Sequence, residues 1–162
     1  MVKLEVLIKQ KKISKINELE LFRYVNFFEN SYKENLEHSI FIKNEFSRWS
    51  IISGYYAMHD ITKLLLAKNF RIKIEFEVHA TTIKVLRELI KNKELLTLIE
   101  KGYGEFITLA NDLAEAKKER VKSQYYTGTD FMKKEYQKKA SKFLEEVVAP
   151  YLEKIKILIK EK

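Results

Sequence analysis

The sequence predicts an all-α protein, an antiparallel up-and-down bundle of about five helices. Its 162 residues include only 4 glycines and 1 proline, too few for the turns of an all-β or loop-rich fold. Hydrophobic residues make up 46% of the chain, and the stretch from Phe46 to Ala67 is apolar around most of its circumference. We therefore expect one helical domain over residues 1–162, in which residues 1–16 fit a strand or a leading helical turn equally.

The stretch from Phe46 to Ala67 is predicted to be the central helix, running to about Lys68. Ser47 is a candidate N-cap and Asn69 a candidate C-cap. One row of small residues interrupts the apolar surface, and such a row lets a neighbouring backbone approach closely. This row consists of Ser50, Ser53, Gly54 and Ala57.

The first helix is predicted over residues 17–41, with Asn17 as its N-cap and acidic residues in its first turn. Its apolar stripe consists of Phe22, Val25, Phe28, Tyr32, Leu36 and Ser39. Residues 70–78 alternate between apolar and charged side chains, which is typical of a strand. Because no partner strand is evident, we favour an extended connection there.

Three further long helices and one short helix are expected. The third starts near His79 and buries Ile83, Leu86, Leu89 and Ile90. Asn92 caps a short helix through Glu100 that Gly102 and Gly104 stop, and residues 105–124 form the fourth long helix. Residues 125–130 form a loop, with Thr129 or Asp130 capping a last helix that Pro150 kinks or breaks. The apolar face of this last helix consists of Met132, Tyr136, Ala140, Phe143, Val147 and Tyr151.

Several kinds of site are not indicated by the residues. There is no cysteine, and His38, His59 and His79 show no metal-binding spacing, so we expect no metal and no cofactor. Neither a glycine-rich phosphate loop nor a GxSxG motif occurs. No apolar run approaches the ~20 residues that span a bilayer, and the N-terminus does not fit a signal peptide. We expect a cytoplasmic protein without a membrane partner.

The net charge of +8 leaves two interpretations open. It makes an anionic partner plausible, and it equally fits a lysine-rich surface that keeps the protein soluble. Basic residues are dense only in IKQKK (8–12) and KKEYQKK (133–139).

Arg120 is the most informative residue of the fourth helix, because it falls in phase with a buried face. That face consists of Phe106, Leu109, Ala110 and Leu113. One interpretation places Arg120 where the helix emerges into solvent, or pairs it with an acidic residue. The other makes its guanidinium, with Tyr125 and Tyr126 nearby, part of a groove that binds a nucleotide.

The segment RWSIISGYYAMHDITKLLLA (48–67), preceded by ENSYKENLEHSIF (29–41), resembles the HEPN family of prokaryotic helical domains. The likeness extends over roughly residues 17–148. His79 matches a histidine near the third helix of that family, and Arg120 in ERVKSQYY matches an arginine late in its fourth helix.

The resemblance implies a five-helix bundle, commonly a homodimer, and a small nucleotidyltransferase as partner in a toxin–antitoxin system. Active members are metal-independent ribonucleases whose motif is an Arg followed, after four to six residues, by a His. Here Lys122, Tyr125 and Tyr126 follow Arg120, and no histidine occurs downstream. Asp60 stands where the family often has a second-helix histidine.

Three hypotheses follow from these observations. The first is a non-catalytic or weakly active domain that binds nucleotide, RNA or a nucleotidyltransferase through Arg120, Lys122, Tyr125 and Tyr126. The second is a ribonuclease, in which Arg120 acts with Tyr125 or with His79. The third is a structural interaction bundle, whose charge serves solubility only.

Overall fold

Helix α3 (Ser47–Phe70) forms the centre of a helical bundle, as the apolar stretch predicted. Sixteen of its residues are buried, because other helices pack on most of its circumference. The computed structural model describes residues 4–118 and 130–160. Within these ranges no helix is long and apolar enough to cross a lipid bilayer.

The other described elements surround α3 in chain order. They are α1 (Leu4–Lys9), β1 (Ile13–Lys15), α2 (Glu18–Phe41), β2 (Ile72–Ile74), α4 (Val78–Leu89), α5 (Lys93–Lys118), α6 (Asp130–Phe143), a π-helical turn (Leu144–Val148) and α7 (Ala149–Lys160).

The row of small residues on α3 allows the close approach that the sequence predicted. Ser39 Oγ on α2 donates to the carbonyl oxygen of Ser50 at 2.6 Å, and Ser50 Oγ donates to the carbonyl oxygen of Ser39 at 2.7 Å. A Cβ atom on Gly54 would lie 3.2 Å from both Ser39 Oγ and Val148 Cγ2. Glycine at position 54 therefore lets α2 and the π-helical turn contact α3 directly.

Helix α2 begins as predicted, because the Asn17 side chain accepts a hydrogen bond from the backbone N–H of Glu20 at 2.8 Å. The apolar stripe is only partly buried. Phe28 and Tyr32 enter the core, whereas Phe22 is 78% exposed. Trp49 belongs to the stretch from Phe46 to Ala67 that was predicted to be apolar around most of its circumference, and it is also more than half exposed.

Both predicted caps of α3 were wrong. Phe46 occupies the N-cap position, and Ser47 Oγ donates instead to the carbonyl oxygen of Lys43 at 2.7 Å. At the other end the helix passes Asn69, whose Nδ2 donates to the carbonyl oxygen of Leu158 at 2.8 Å. Arg71, with φ 56°, terminates the helix in the left-handed conformation.

The stretch 70–78 was predicted to be an extended connection, but residues 72–74 within it form a strand. Strand β2 pairs antiparallel with β1, in the register Ile13 with Ile74 and Lys15 with Ile72. The partner strand thus comes from the N-terminal extension, which forms both a helix (α1) and a strand (β1). A second, smaller core lies beneath this sheet and consists of Leu7, Ile13, Leu66, Ile74 and Val85.

Helix α5 runs through both glycines, so the predicted break at Gly102 and Gly104 was wrong. Asn92 does cap this helix, accepting a hydrogen bond from the backbone N–H of Leu95 at 3.0 Å. Gly102 fits closely against α3, since an added Cβ would lie 3.0 Å from Met58 Sδ. Packing against α3 therefore outweighs the low helix propensity of Gly102.

The last helical run continues through Pro150, which does not end it. The interruption precedes the proline: in the π-helical turn the backbone N–H of Ala149 donates to the carbonyl oxygen of Leu144. A proline lacks an N–H and its ring crowds the carbonyl of residue i−4, so a wider turn accommodates it.

Candidate functional site

The predicted site residues divide into two groups. Arg120, Lys122, Tyr125 and Tyr126 lie outside the described residues, as do the 125–129 part of the predicted loop and the last turns predicted for the fourth helix. His79 is described, and it lies at the second position of α4, partly buried, as its place in the sequence predicted.

His79, on α4, lies among aromatic and imidazole rings from α3 and α5. Its Nδ1 is 2.9 Å from the hydroxyl oxygen of Tyr55 on α3. The shortest distances between its ring centroid and those of its neighbours are 4.6 Å to His59 and 5.1 Å to Phe106. We call this group the His79 cluster; it consists of Tyr55, Tyr56, His59, His79, Tyr103 and Phe106.

Several rings of the His79 cluster are nearly parallel. Tyr55 and Phe106 stack with centroids 4.8 Å apart and an interplanar angle of 22°. His79 and Tyr103 are 6.1 Å apart at 18°. Four members keep part of their surface in solvent: Tyr56, His79, Tyr103 and Phe106. The cluster therefore presents aromatic rings at the surface with a buried base, an arrangement suited to stacking on a planar ligand.

Burial lowers the pKa of His79 to about 4, with the neighbouring His59 and Lys63 acting in the same direction. The imidazole is therefore neutral at pH 7. Burial also raises the pKa of Tyr55, so its phenol stays protonated. A neutral His79 beside the protonated phenol of Tyr55 leaves the centre of the cluster uncharged at pH 7.

His59 is 2% exposed and carries one unsatisfied nitrogen. Its Nε2 is 3.2 Å from Thr82 Oγ1, whose own proton goes to the carbonyl oxygen of Val78 at 2.7 Å. Nε2 must then be the donor, which leaves Nδ1 unprotonated. Nδ1 has no hydrogen-bond partner among the described residues, and burial lowers the pKa of this histidine.

Asp60 follows His59 directly but belongs to a different environment. Its Oδ2 accepts hydrogen bonds from Ser31 Oγ at 2.6 Å and from Asn35 Nδ2 at 3.0 Å, both on α2. The distance from Asp60 Oδ1 to His59 Nδ1 is 3.7 Å, too long for a hydrogen bond. The two residues therefore do not form a catalytic hydrogen-bonded pair, in keeping with their adjacent positions on one helix.

Lys63 lies one turn further along α3 and supplies positive charge near the cluster. Its Nζ is 4.9 Å from the ring centroid of Phe28. Burial lowers its pKa, while Asp60 opposes this shift. Within residues 4–118 and 130–160, no three acidic or histidine side chains converge in a way that could hold a metal ion.

Most of the His79 cluster could not be identified from sequence. Tyr55 and Tyr56 stood out as apolar residues of the central helix and as part of the segment that resembles the HEPN family, and not as members of a site. Tyr103 lies between two glycines that predicted a helix end. The only signal for this cluster in the sequence was that tyrosines and histidines occur on several predicted helices. Their convergence depends on how α3, α4 and α5 pack.

Comparisons with protein-family models, with curated proteins and with solved structures found no match to this chain.

Proposed function

We propose that this protein is a HEPN-like domain that binds a nucleotide or single-stranded RNA, with the His79 cluster as the base-binding part of its site. The observation that carries the proposal is the partly exposed set of near-parallel rings around a neutral His79. Stacking of a base on an aromatic side chain contributes about 1–3 kcal/mol per base and tolerates different bases.

Arg120, Lys122, Tyr125 and Tyr126 complete the site in this proposal. Their assignment rests on the sequence and on the resemblance, since an arginine near a base-binding surface suits a phosphate. The same resemblance implies a homodimer and a small nucleotidyltransferase partner, and we retain both as part of the proposal. Light scattering of the pure protein, and co-purification with a nucleotidyltransferase encoded beside it, test these two parts.

Removing one ring of the cluster tests base binding. Tyr103→Leu keeps an apolar side chain but deletes the partly exposed ring, so we expect affinity for uridine monophosphate and for oligouridylate to fall roughly tenfold. Phe22→Leu deletes a ring that is 78% exposed on α2 and serves as the matched control. Unchanged affinity in Tyr103→Leu, or no binding of either ligand by the wild type, would refute the proposal.

A ribonuclease is the second candidate, favoured by one observation: His79 is neutral and has one ring nitrogen held by Tyr55. Such an imidazole can accept a proton from a ribose hydroxyl. With a pKa of about 4, however, its protonated form is scarce at pH 7, so general-acid catalysis would be weak. Incubation with single-stranded RNA in the presence of EDTA, with Arg120→Ala as the control, tests this activity.

A further inference from the structure

A cavity of about 230 Å³ lies between the N-terminal extension and the main bundle. Residues from α1, both strands, the end of α3 and the end of α4 line it, and six of the eight lining residues are apolar. These six are Leu4, Ile8, Ile13, Phe70, Ile72 and Leu89. Because an apolar cavity of about 150 Å³ holds benzene, this one has room for an apolar group about half again as large.

Lys15 is the only charged residue among those that line the cavity in the described part of the chain. Successive side chains of a strand point to opposite faces of the sheet. Lys15 therefore shares the inner face of the sheet with the buried Ile13, and it is paired in register with Ile72. A lysine on an apolar face covers that face with its aliphatic stem and keeps its ammonium group at the edge. The cavity thus has apolar walls and an ammonium group at its mouth.

The outer face of the sheet differs from the inner face, because its polar groups are paired. Ser14 Oγ donates to Glu75 Oε1 at 2.7 Å, and Lys73 Nζ lies 3.5 Å from the same oxygen. On the inner face, no carboxylate of residues 4–118 or 130–160 forms an ion pair with Lys15. The hydroxyl of Ser14, the other polar lining residue, already donates its proton. The Lys15 ammonium group is therefore the side-chain donor that a ligand in the cavity can reach.

The charge around the cavity favours an anionic ligand. Residues 4–15 (LEVLIKQKKISK) contain four lysines and one glutamate, a local net charge of 4 − 1 = +3. This segment includes the basic stretch 8–12, to which the His79 cluster assigns no role. Lys12 is paired with Glu77, which leaves an excess of positive charge on the segment. A carboxylate next to Lys15 is stabilised by this charge, whereas a second cation is repelled.

The cavity is separate from the His79 cluster. Leu89, which lines the cavity, is the last residue of α4, whereas His79 is the second residue of the same helix. Ten residues of an α-helix span about 15 Å. A ligand that fits the cavity therefore does not contact the rings of the cluster.

From these observations we infer that the cavity binds a small monocarboxylate with an apolar body of about six to eight carbon atoms. The apolar body occupies the space between α1 and the inner face of the sheet. The carboxylate accepts a hydrogen bond from the Lys15 ammonium group at the mouth. This site is independent of the nucleotide site proposed above.

The first test compares ligands of graded length and charge. Isothermal titration calorimetry measures the affinities of butanoate, hexanoate and octanoate, with octan-1-ol and octylamine as neutral and cationic probes. We expect each added methylene to strengthen carboxylate binding about fourfold up to octanoate. Octanoate should bind roughly fivefold more tightly than octan-1-ol, and octylamine more weakly than either. Equal affinities for octanoate and octylamine would overturn the inference, because binding would then be hydrophobic only.

The second test locates the site with two matched pairs of variants. Lys15→Met removes the ammonium group and keeps an apolar stem, and Lys73→Met makes the same change of charge on the outer face of the sheet. Ile8→Trp fills the mouth of the cavity, and Val6→Trp places the same side chain at an α1 position that does not line it. Ile8 and Val6 are similarly exposed, so neither substitution disturbs the core. Urea denaturation checks that all four variants are folded.

We expect Lys15→Met to weaken octanoate binding roughly fivefold and to bind octan-1-ol at least as tightly as the wild type. Ile8→Trp should abolish binding of both ligands. Lys73→Met and Val6→Trp should bind octanoate as the wild type does. Equal losses in Lys15→Met and Lys73→Met would overturn the inference, as would unchanged octanoate binding in Ile8→Trp.

Wild-type protein that binds none of the carboxylates would also overturn the inference. That result would leave the proposed nucleotide site intact, because Tyr103→Leu tests that site with different ligands. A dimer, detected by light scattering, that Ile8→Trp dissociates in a protein without carboxylate binding would assign the cavity to a second copy of the chain and refute the inference.

Discussion

His59 and Asp60 are consecutive residues of α3, and they differ in whether their buried polar atoms are hydrogen-bonded. Asp60 faces α2, where Ser31 and Asn35 both donate to its carboxylate. His59 faces α4 and the rings of the His79 cluster, and its buried Nδ1 has no donor within the described residues. A satisfied buried network stabilises a fold, whereas the Nδ1 atom of His59 remains a buried polar atom without a hydrogen bond.

The largest expected effect is the loss of stability when Asp60, whose carboxylate is hydrogen-bonded, is replaced. Asp60→Ala deletes the acceptor of Ser31 and Asn35 and leaves both donors unpaired at a partly buried position. We expect the free energy of unfolding to fall by about 2–3 kcal/mol, measured by urea denaturation. Affinity for uridine monophosphate, measured under folding conditions, should not change.

Ser31→Ala is the matched control for Asp60→Ala, because it removes one donor and keeps the carboxylate. Its expected cost is about 1 kcal/mol. If Asp60→Ala costs no more than Ser31→Ala, the carboxylate is not the centre of this network, and the contrast with His59 fails.

The next effect is a dependence of stability on pH. The pKa of His79 is about 4 in the folded state and near 6.5 when unfolded, and that of His59 is also lowered. Between pH 4 and pH 6.5 the unfolded chain binds more protons than the folded protein. The free energy of unfolding therefore has its full value above about pH 6.5 and falls as the pH decreases toward 4. Allowing for solvent screening at the partly exposed His79, we expect a loss of roughly 1–2 kcal/mol from pH 7 to 5.

Urea denaturation at both pH values measures this loss. His79→Gln should make the dependence shallower. His38→Gln, which replaces an exposed histidine hydrogen-bonded to Ser53 on the other side of α3, should keep the wild-type dependence. If the free energy of unfolding depends on pH equally in the wild type and in both variants, the His79 cluster does not control stability at acid pH.

The smallest effect concerns one hydroxyl group. Tyr55→Phe leaves His79 Nδ1 without its partner and should cost about 1 kcal/mol, measured by thermal denaturation. Tyr151→Phe removes a buried hydroxyl 2.6 Å from Thr62 Oγ1, outside the cluster, and should cost a similar amount. Only Tyr55→Phe should alter the imidazole nitrogen shifts of His79; altered shifts in both variants would argue against a local role for Tyr55.

Local rules predicted much of the fold. Asn17 caps α2 and Asn92 caps α5, because the side-chain oxygen of each accepts a hydrogen bond from a free backbone N–H group in the first turn of its helix. The central helix was evident because an element that is apolar on every side must lie inside. The close approach at Gly54 followed from the same spacing argument.

Three of the wrong predictions share one cause, since each depended on contacts between distant residues. Strand β2 required a partner sixty residues earlier in the chain, at Ile13–Lys15. Gly102 remains helical because it packs against Met58, and Asn69 binds a carbonyl group of α7 rather than capping its own helix. No property of the local sequence distinguishes these outcomes.

By itself the sequence determined the helical class, the central position of α3 and the concentration of lysines on the last helical run. These properties depend on composition and on a period of 3.6 residues, which any window of the chain contains. Only the tertiary structure decided that Tyr55, His59, His79, Tyr103 and Phe106 meet in one cluster and that Asp60 is excluded from it. Such convergence depends on the packing of separate helices, because side chains far apart in sequence become neighbours only when the core is assembled.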